Sequence, residues 1–209
     1  MKTLLLISFL TISMQVMAQN QAETYIKEAQ TYLAAKDYKQ AQMSLQDAIN
    51  DLNLVLGQQI AEALPNEING LTAEPGDASN TGGMNIMGIG MVISKSYRNA
   101  GKKENEADVQ ILANSPMLAA INMYINNPAM AGQGYKSVRV GTRRAILKSE
   151  MNDFYMDNGS SKQIRSSEIQ IPLSQTLITL NLKGFASEAE ELAFAGKLDI
   201  EKLRVALGE

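Results

Sequence analysis

The chain has 209 residues, with 19 basic and 22 acidic side chains, a formal net charge of −3, and no histidine, cysteine or tryptophan. Without His and Cys there is no Ser-His-Asp triad, Cys-His pair, thiolate site or imidazole metal site, and the mild acidity argues against a nucleic-acid partner, which demands a basic stripe. Catalysis is left to carboxylate, lysine, tyrosine or hydroxyl groups, and no pairing of such groups stands out.

Residues 1–18 have the three parts of a cleavable secretory signal in order: a basic start at Lys2, an apolar run from Leu4 to Met14, and a small-residue exit at Val16-Met17-Ala18. The apolar run falls well short of the roughly 18 to 20 residues that cross a bilayer as a helix. With no cysteine to carry a lipid, the expectation is a periplasmic or secreted product beginning at Gln19 with no transmembrane anchor. Loss of Lys2 takes the 19 basic residues to 18, and the formal charge from −3 to −4.

From Gln21 to about Leu64 apolar and small residues recur at helical steps: Tyr25, Ala29, Tyr32 and Leu33, then Ala41, Leu45, Ala48, Ile49, Leu52 and Leu56. Each run predicts a helix with one buried stripe. Lys36-Asp37-Tyr38 suits a tight turn between two antiparallel helices, so 19–64 is expected as a helical hairpin. Tyr25, Ala29, Tyr32, Tyr38, Ala41, Leu45 and Ala48 fall where a tetratricopeptide repeat places its packing residues, and the stretch resembles one such repeat. Asn53 replaces its closing proline. One repeat makes no peptide-binding array, so the hairpin is either a packing element or a docking surface.

After Pro65 glycine, asparagine and β-branched residues rise, and 65–209 reads as a sheet domain. Leu71–Glu74 is a short strand, 75–83 a loop, and Met84–Arg98 and Lys102–Ala113 two strands joined at Asn99-Ala100-Gly101. Ser115 and Pro116 open a helix that turns Met117, Leu118, Ile121, Tyr124 and Ile125 inward and stops at Asn127-Pro128. Tyr135–Val140 and Arg143–Tyr155 are strands about Gly141-Thr142. Asp157-Asn158-Gly159-Ser160 is a hairpin turn, and Glu168–Leu173 and Thr176–Phe185 form the last pair. Ser187 with Glu190 makes a capping box for a helix to Ala195, and Asp199 caps another to Leu207. The fold class is α+β: an N-terminal helical hairpin, then a mainly antiparallel sheet with a central helix and C-terminal helices packed on one face.

Four strings stand out: Leu64-Pro65 with Asn69-Gly70, Ser94-Lys95-Ser96-Tyr97, Asn114-Ser115-Pro116-Met117-Leu118-Ala119 and Asn127-Pro128-Ala129-Met130. Over residues 58–207 they resemble an uncharacterised family of exported Gram-negative proteins with a Leu-Pro…Gly-Trp opening. Leu71 stands in place of the tryptophan, and Lys95 in place of an arginine. The resemblance implies no activity and no cofactor.

The dense basic residues Lys136, Arg139, Arg143, Arg144 and Lys148 form a candidate patch for an anionic envelope component, set against the alternative of a solvated hairpin edge. Met84, Met87, Met91, Met117, Met123 and Met130 offer soft ligands for copper, or flexible core fillers. Gly82, Gly83, Gly88 and Gly90 lack the Gly-Lys-Ser/Thr of a phosphate loop, and Asp153, Asp157, Asn158 and Ser160 lack the closing Glu of a calcium loop. No cofactor or metal is expected. These features point to an exported, non-enzymatic binding or adaptor protein of the bacterial envelope with a protein partner at the hairpin. The competing reading is a hydrolase-like enzyme using carboxylate or hydroxyl chemistry. A deep cleft with convergent carboxylates favours the enzyme, and an exposed apolar helix face favours docking.

Overall fold

The computed structural model describes residues 21–75, 79–80, 91–156 and 159–209. The signal segment, Met84, Met87, the four glycines 82, 83, 88 and 90, and Asp157-Asn158 lie outside the described residues. By internal contacts the chain divides into two units between Leu56 and Gly57, somewhat before the composition break at Pro65.

Helix α1 (residues 21–34) and helix α2 (Tyr38–Ala63) form the hairpin. The sheet strands are β1 (Glu67–Ile68), β2 (Leu71–Ala73), β3 (Ser79–Asn80), β4 (Met91–Asn99), β5 (Lys102–Ala113), β6 (Tyr135–Val140), β7 (Arg143–Tyr155), β8 (Ser161–Pro172) and β9 (Thr176–Lys183). Helix α3 (Leu118–Asn126) and a 3-10 turn (Pro128–Ala131) lie between β5 and β6, and α4 (Glu188–Ala195) and α5 (Ile200–Ala206) end the chain. The described strands make one antiparallel sheet in the order β1-β2-β4-β5-β9-β8-β7-β6, with β3 also paired to β4. The α+β class and the antiparallel sheet are as the sequence pattern indicates.

Period-two alternation sorts the strands onto two faces. One face carries Ile93, Val109, Ile111, Leu180, Ile169 and Leu147, all buried. Helix α4 packs here, with Phe194 edge-on to Tyr97 (centroids 5.7 Å apart) and to Phe185 (5.6 Å). The other face is mixed. At one end Ile146 and Leu177 form a cluster with Ile121 and Ile125 of α3, so α3 covers the side opposite the C-terminal helices. Met117, expected inward, is half exposed. Helix α3 begins at Leu118, after a turn in which Ser115 Oγ accepts from the Met117 N–H (3.3 Å), and this leaves Met117 at the helix mouth. Beyond α3 that face is polar.

The strings around Pro65 come together physically. Asn69 (φ 51°) and Gly70 (φ 80°) make the tight turn between β1 and β2, both in the left-handed region that such hairpins need. Lys95, on the buried face of β4, donates from Nζ to the carbonyls of Ala61 (3.4 Å) and Leu64 (2.9 Å) and to Asn66 Oδ1 (3.1 Å). These carbonyls are orphan acceptors at the end of α2, where a cation also complements the helix dipole. Burial holds the Lys95 ammonium below its ordinary pKa. Tyr97, fully buried two residues on, donates its hydroxyl to the Pro65 carbonyl (2.8 Å).

Burial pushes the Tyr97 phenol well above its ordinary value. The unfolded chain ionises this group near pH 10 while the fold keeps it protonated, so its stabilisation is complete below pH 10 and declines as pH rises further. Tyr97→Phe keeps the ring contact and loses the hydrogen bond. It is expected to cost about 1 kcal/mol at neutral pH and to flatten the loss of stability above pH 10, as read by urea melts across that range.

Candidate interaction surface

The hairpin is built on small residues. Ala22 and Ala29 of α1, and Ala41, Ser44 and Ala48 of α2, are its buried positions. Steps of three, four and seven put them on one seam per helix, and small side chains let the axes lie close. The turn is closed by Lys36 N–H to Leu33 O (3.0 Å) and Asp37 N–H to Tyr32 O (2.9 Å), after which Asp37 Oδ1 caps α2 by accepting from the Gln40 N–H (3.2 Å). Lys36 sits at φ 60°, the left-handed C-cap position that favours glycine. Lys36→Gly is therefore expected to stabilise the hairpin by about 1 kcal/mol, seen as a higher helix melting temperature by circular dichroism.

A close-packed alanine seam leaves the large apolar residues elsewhere. Leu33, Leu45, Ile49 and Leu52, expected in the buried stripes, are about half exposed, and Tyr25, Tyr32 and Leu56 are only partly covered. On α2 the sequence carries two adjacent seams. Ala41, Ser44 and Ala48 make the hairpin contact; Tyr38, Leu45, Ile49, Leu52 and Leu56 form a second row at heptad spacing. Both rows lie at helical spacing, and hydrophobic periodicity alone does not say which of two neighbouring seams the hairpin uses.

The basic residues do not assemble into one surface. Neighbours along a strand point to opposite faces, so Arg143 and Arg144 part company. Lys136 and Arg143 turn toward the C-terminal helices, where Lys136 pairs with Glu188 and Arg143 Nη2 pairs with Glu201 (2.9 Å). Hydrogen bonds from Arg204 and Arg143 hold the Glu201 carboxyl below its usual range. On the other face Arg144 donates to Ile125 O (2.7 Å) and Asn126 Oδ1 (3.0 Å), capping α3. Lys148 pairs with Glu150 (3.4 Å) and lies over the Tyr135 ring (5.8 Å). Arg139 is exposed directly across from Arg144, so Arg139, Arg144 and Lys148 share one face of the sheet while Lys136 and Arg143 lie on the other.

The polar part of the sheet face holds a shallow groove of about 230 Å³ lined by Lys148, Glu150, Asn152, Ser166, Glu168, Asn181 and Lys183. Its carboxylates are already engaged: Glu150 by Lys148 and Asn152, Glu168 by Gln170. Toward β4 a ladder of ion pairs continues, Lys183 to Glu106 (2.7 Å), and Arg98 to Glu106 (3.4 Å), Asp108 (3.0 Å) and Glu74 (3.7 Å). A second cavity of about 400 Å³ lies between the β6–β7 turn and the α4–α5 connection. There Asp199 is used in capping α5 through the Lys202 N–H (2.9 Å), and Glu201 in its arginine pairs.

Sequence reasoning did not anticipate Glu191. This α4 carboxylate is fully buried, its Oε1 accepting from Arg165 Nε (2.8 Å) and Ser167 Oγ (2.6 Å), while Oε2 has no partner. Arg165 Nη2 reaches Ser149 Oγ (2.6 Å). Glu191 lines neither cavity. Among the described methionines, Met91 is buried on the face opposite α3, and Met117, Met123 and Met130 are half exposed around α3. Met91 is therefore separated by the sheet from the three around α3. No group of three acidic side chains among the described residues is placed to hold a metal.

No family model matches the chain, and no curated protein does. Among solved structures, a protein from Bacteroides thetaiotaomicron VPI-5482 is similar at 12% identity and a TM-score of 0.38, over 61% of this chain and 43% of that one.

Proposed function

We propose that this chain is an exported, non-enzymatic binding protein of the bacterial envelope that works through protein contact at its helical hairpin. The observation that carries the reading is the row Leu45, Ile49 and Leu52, large apolar side chains at heptad spacing that stand in solvent while the hairpin closes on alanines. Exposed apolar surface of this regularity is a mark of an interaction site. The export half rests on residues 1–18, and no described helix is long and apolar enough to cross a membrane. Two further observations weigh against the hydrolase alternative. The sheet groove is shallow with its carboxylates paired, and Glu191, the fully buried carboxylate among the described residues, lines neither of the two cavities described above.

The double change Leu45→Asp and Ile49→Asp tests the reading. Because both residues are exposed, the melting temperature is expected to stay within about two degrees, as for surface changes generally. In gel filtration of envelope extract the wild-type protein is expected to elute ahead of its monomer position, and the double change should return it there. A complex that survives the double change would refute the hairpin as the contact surface.

A further inference from the structure

We infer that the occupant of the hairpin's exposed apolar row is a second copy of this chain, the two hairpins closing into an antiparallel four-helix bundle. The inference rests on the reading above and names the partner. Tyr38, Leu45, Ile49 and Leu52 are 67%, 43%, 50% and 53% exposed, and the α1 residues Ile26 and Leu33 are 39% and 49% exposed. At 100° per residue, the antiparallel hairpin puts Ile26 and Leu33 on the same side as the α2 row. Six large side chains, each about half exposed, present on the order of 500 Å² of apolar surface per protomer. With its polar rim this approaches the about 800 Å² per partner of a standard interface.

The row is also self-complementary. Tyr38, Gln42, Leu45, Ile49, Leu52 and Leu56 occupy alternating d and a heptad positions. A two-fold axis perpendicular to α2 near residue 47 sets Leu45 of one copy against Ile49 of the other, Tyr38 against Leu56, and Gln42 against Leu52. Every layer is then an a–d pair, and the axis generates each contact twice. The rim adds no repulsion: Gln46 meets Gln46 across the axis, and Lys39 meets Asn53, so no like charges oppose each other. A foreign helix has no such reason to find its complement written in the same row.

The chain has no cysteine, which makes single-cysteine crosslinking clean. Sedimentation of the purified mature protein from about 1 to about 100 µM is expected to show a monomer–dimer equilibrium, and Ile49→Glu should leave a monomer throughout. Gln46→Cys should give a disulfide-linked dimer under mild oxidation, and Lys39→Cys should not. Native helicity of each variant by circular dichroism separates loss of association from loss of folding. A wild-type protein that is monomeric over this range overturns self-association. A dimer that Ile49→Glu does not dissociate, or in which Gln46→Cys fails to crosslink, overturns the antiparallel seam. A monomer that nevertheless crosslinks through position 49 to a different envelope protein overturns this inference and leaves the proposed function standing.

Discussion

Gly184→Ala is expected to destabilise the protein by about 2 to 5 kcal/mol, enough to remove much of the stability of an ordinary domain. Gly184 follows β9 at φ 70° and donates its N–H to Arg165 O (2.9 Å). A Cβ placed there would lie 2.2 Å from the backbone oxygen of Glu104 and 2.7 Å from its carbonyl carbon. The obstacle is main chain in the central strand β5, which cannot rotate aside as a side chain would. Left-handed backbone alone costs an alanine about 1 to 2 kcal/mol, and overpacking adds about 1 to 3. The midpoint of urea unfolding reads the effect. A midpoint within about 0.3 M of wild type would mean that β5 and β9 do not approach each other this closely.

Arg165→Met is expected to cost about 3 to 5 kcal/mol, because it strands the Glu191 carboxylate in the interior. Glu191 is fully buried and its other oxygen already lacks a partner. Ser167 alone would then remain as donor. The paired change Arg165→Met with Glu191→Leu is expected to recover most of that loss, since replacing a buried ion pair by apolar groups of similar size is often close to neutral. Additive losses in the double-mutant cycle would show that the two residues act independently.

How much of this was legible depended on how far each signal reached along the chain. Strands β5, β6 and β7 and helix α4 are bounded as their turns and caps dictate, because Asn99, Gly141, Ser187 and Glu190 act on backbone within a few residues of themselves. Strand β8 begins at Ser161, earlier than the apolar alternation that starts near Glu168. Residues 161–167 are mostly polar on both faces, and pairing with β7 rather than apolar periodicity holds them extended. The hairpin is legible as two helices, and Ala29, Ala41 and Ala48 of the expected stripes do form its seam, but Leu33, Leu45, Ile49 and Leu52 of the same stripes stand outside it, because helical periodicity does not separate two adjacent rows. Lys95 and Glu191 stayed hidden for another reason. Their partners lie more than twenty residues away, across a sheet whose register no local pattern encodes. Strand alternation parts Arg143 from Arg144, while the register sets Arg139 opposite Arg144 on one face, a pairing that closeness in sequence does not reveal.

The central claim is that the exposed row on α2 is covered by protein in the cell. A photo-crosslinking side chain placed at Ile49 tests it directly, with the same group at Asn181 in the polar sheet groove as the comparison. The account predicts a discrete protein adduct from position 49, at twice the monomer mass if the occupant is a second copy, and none from position 181. Illumination that yields no adduct at 49, or a discrete adduct at 181 alone, would contradict it.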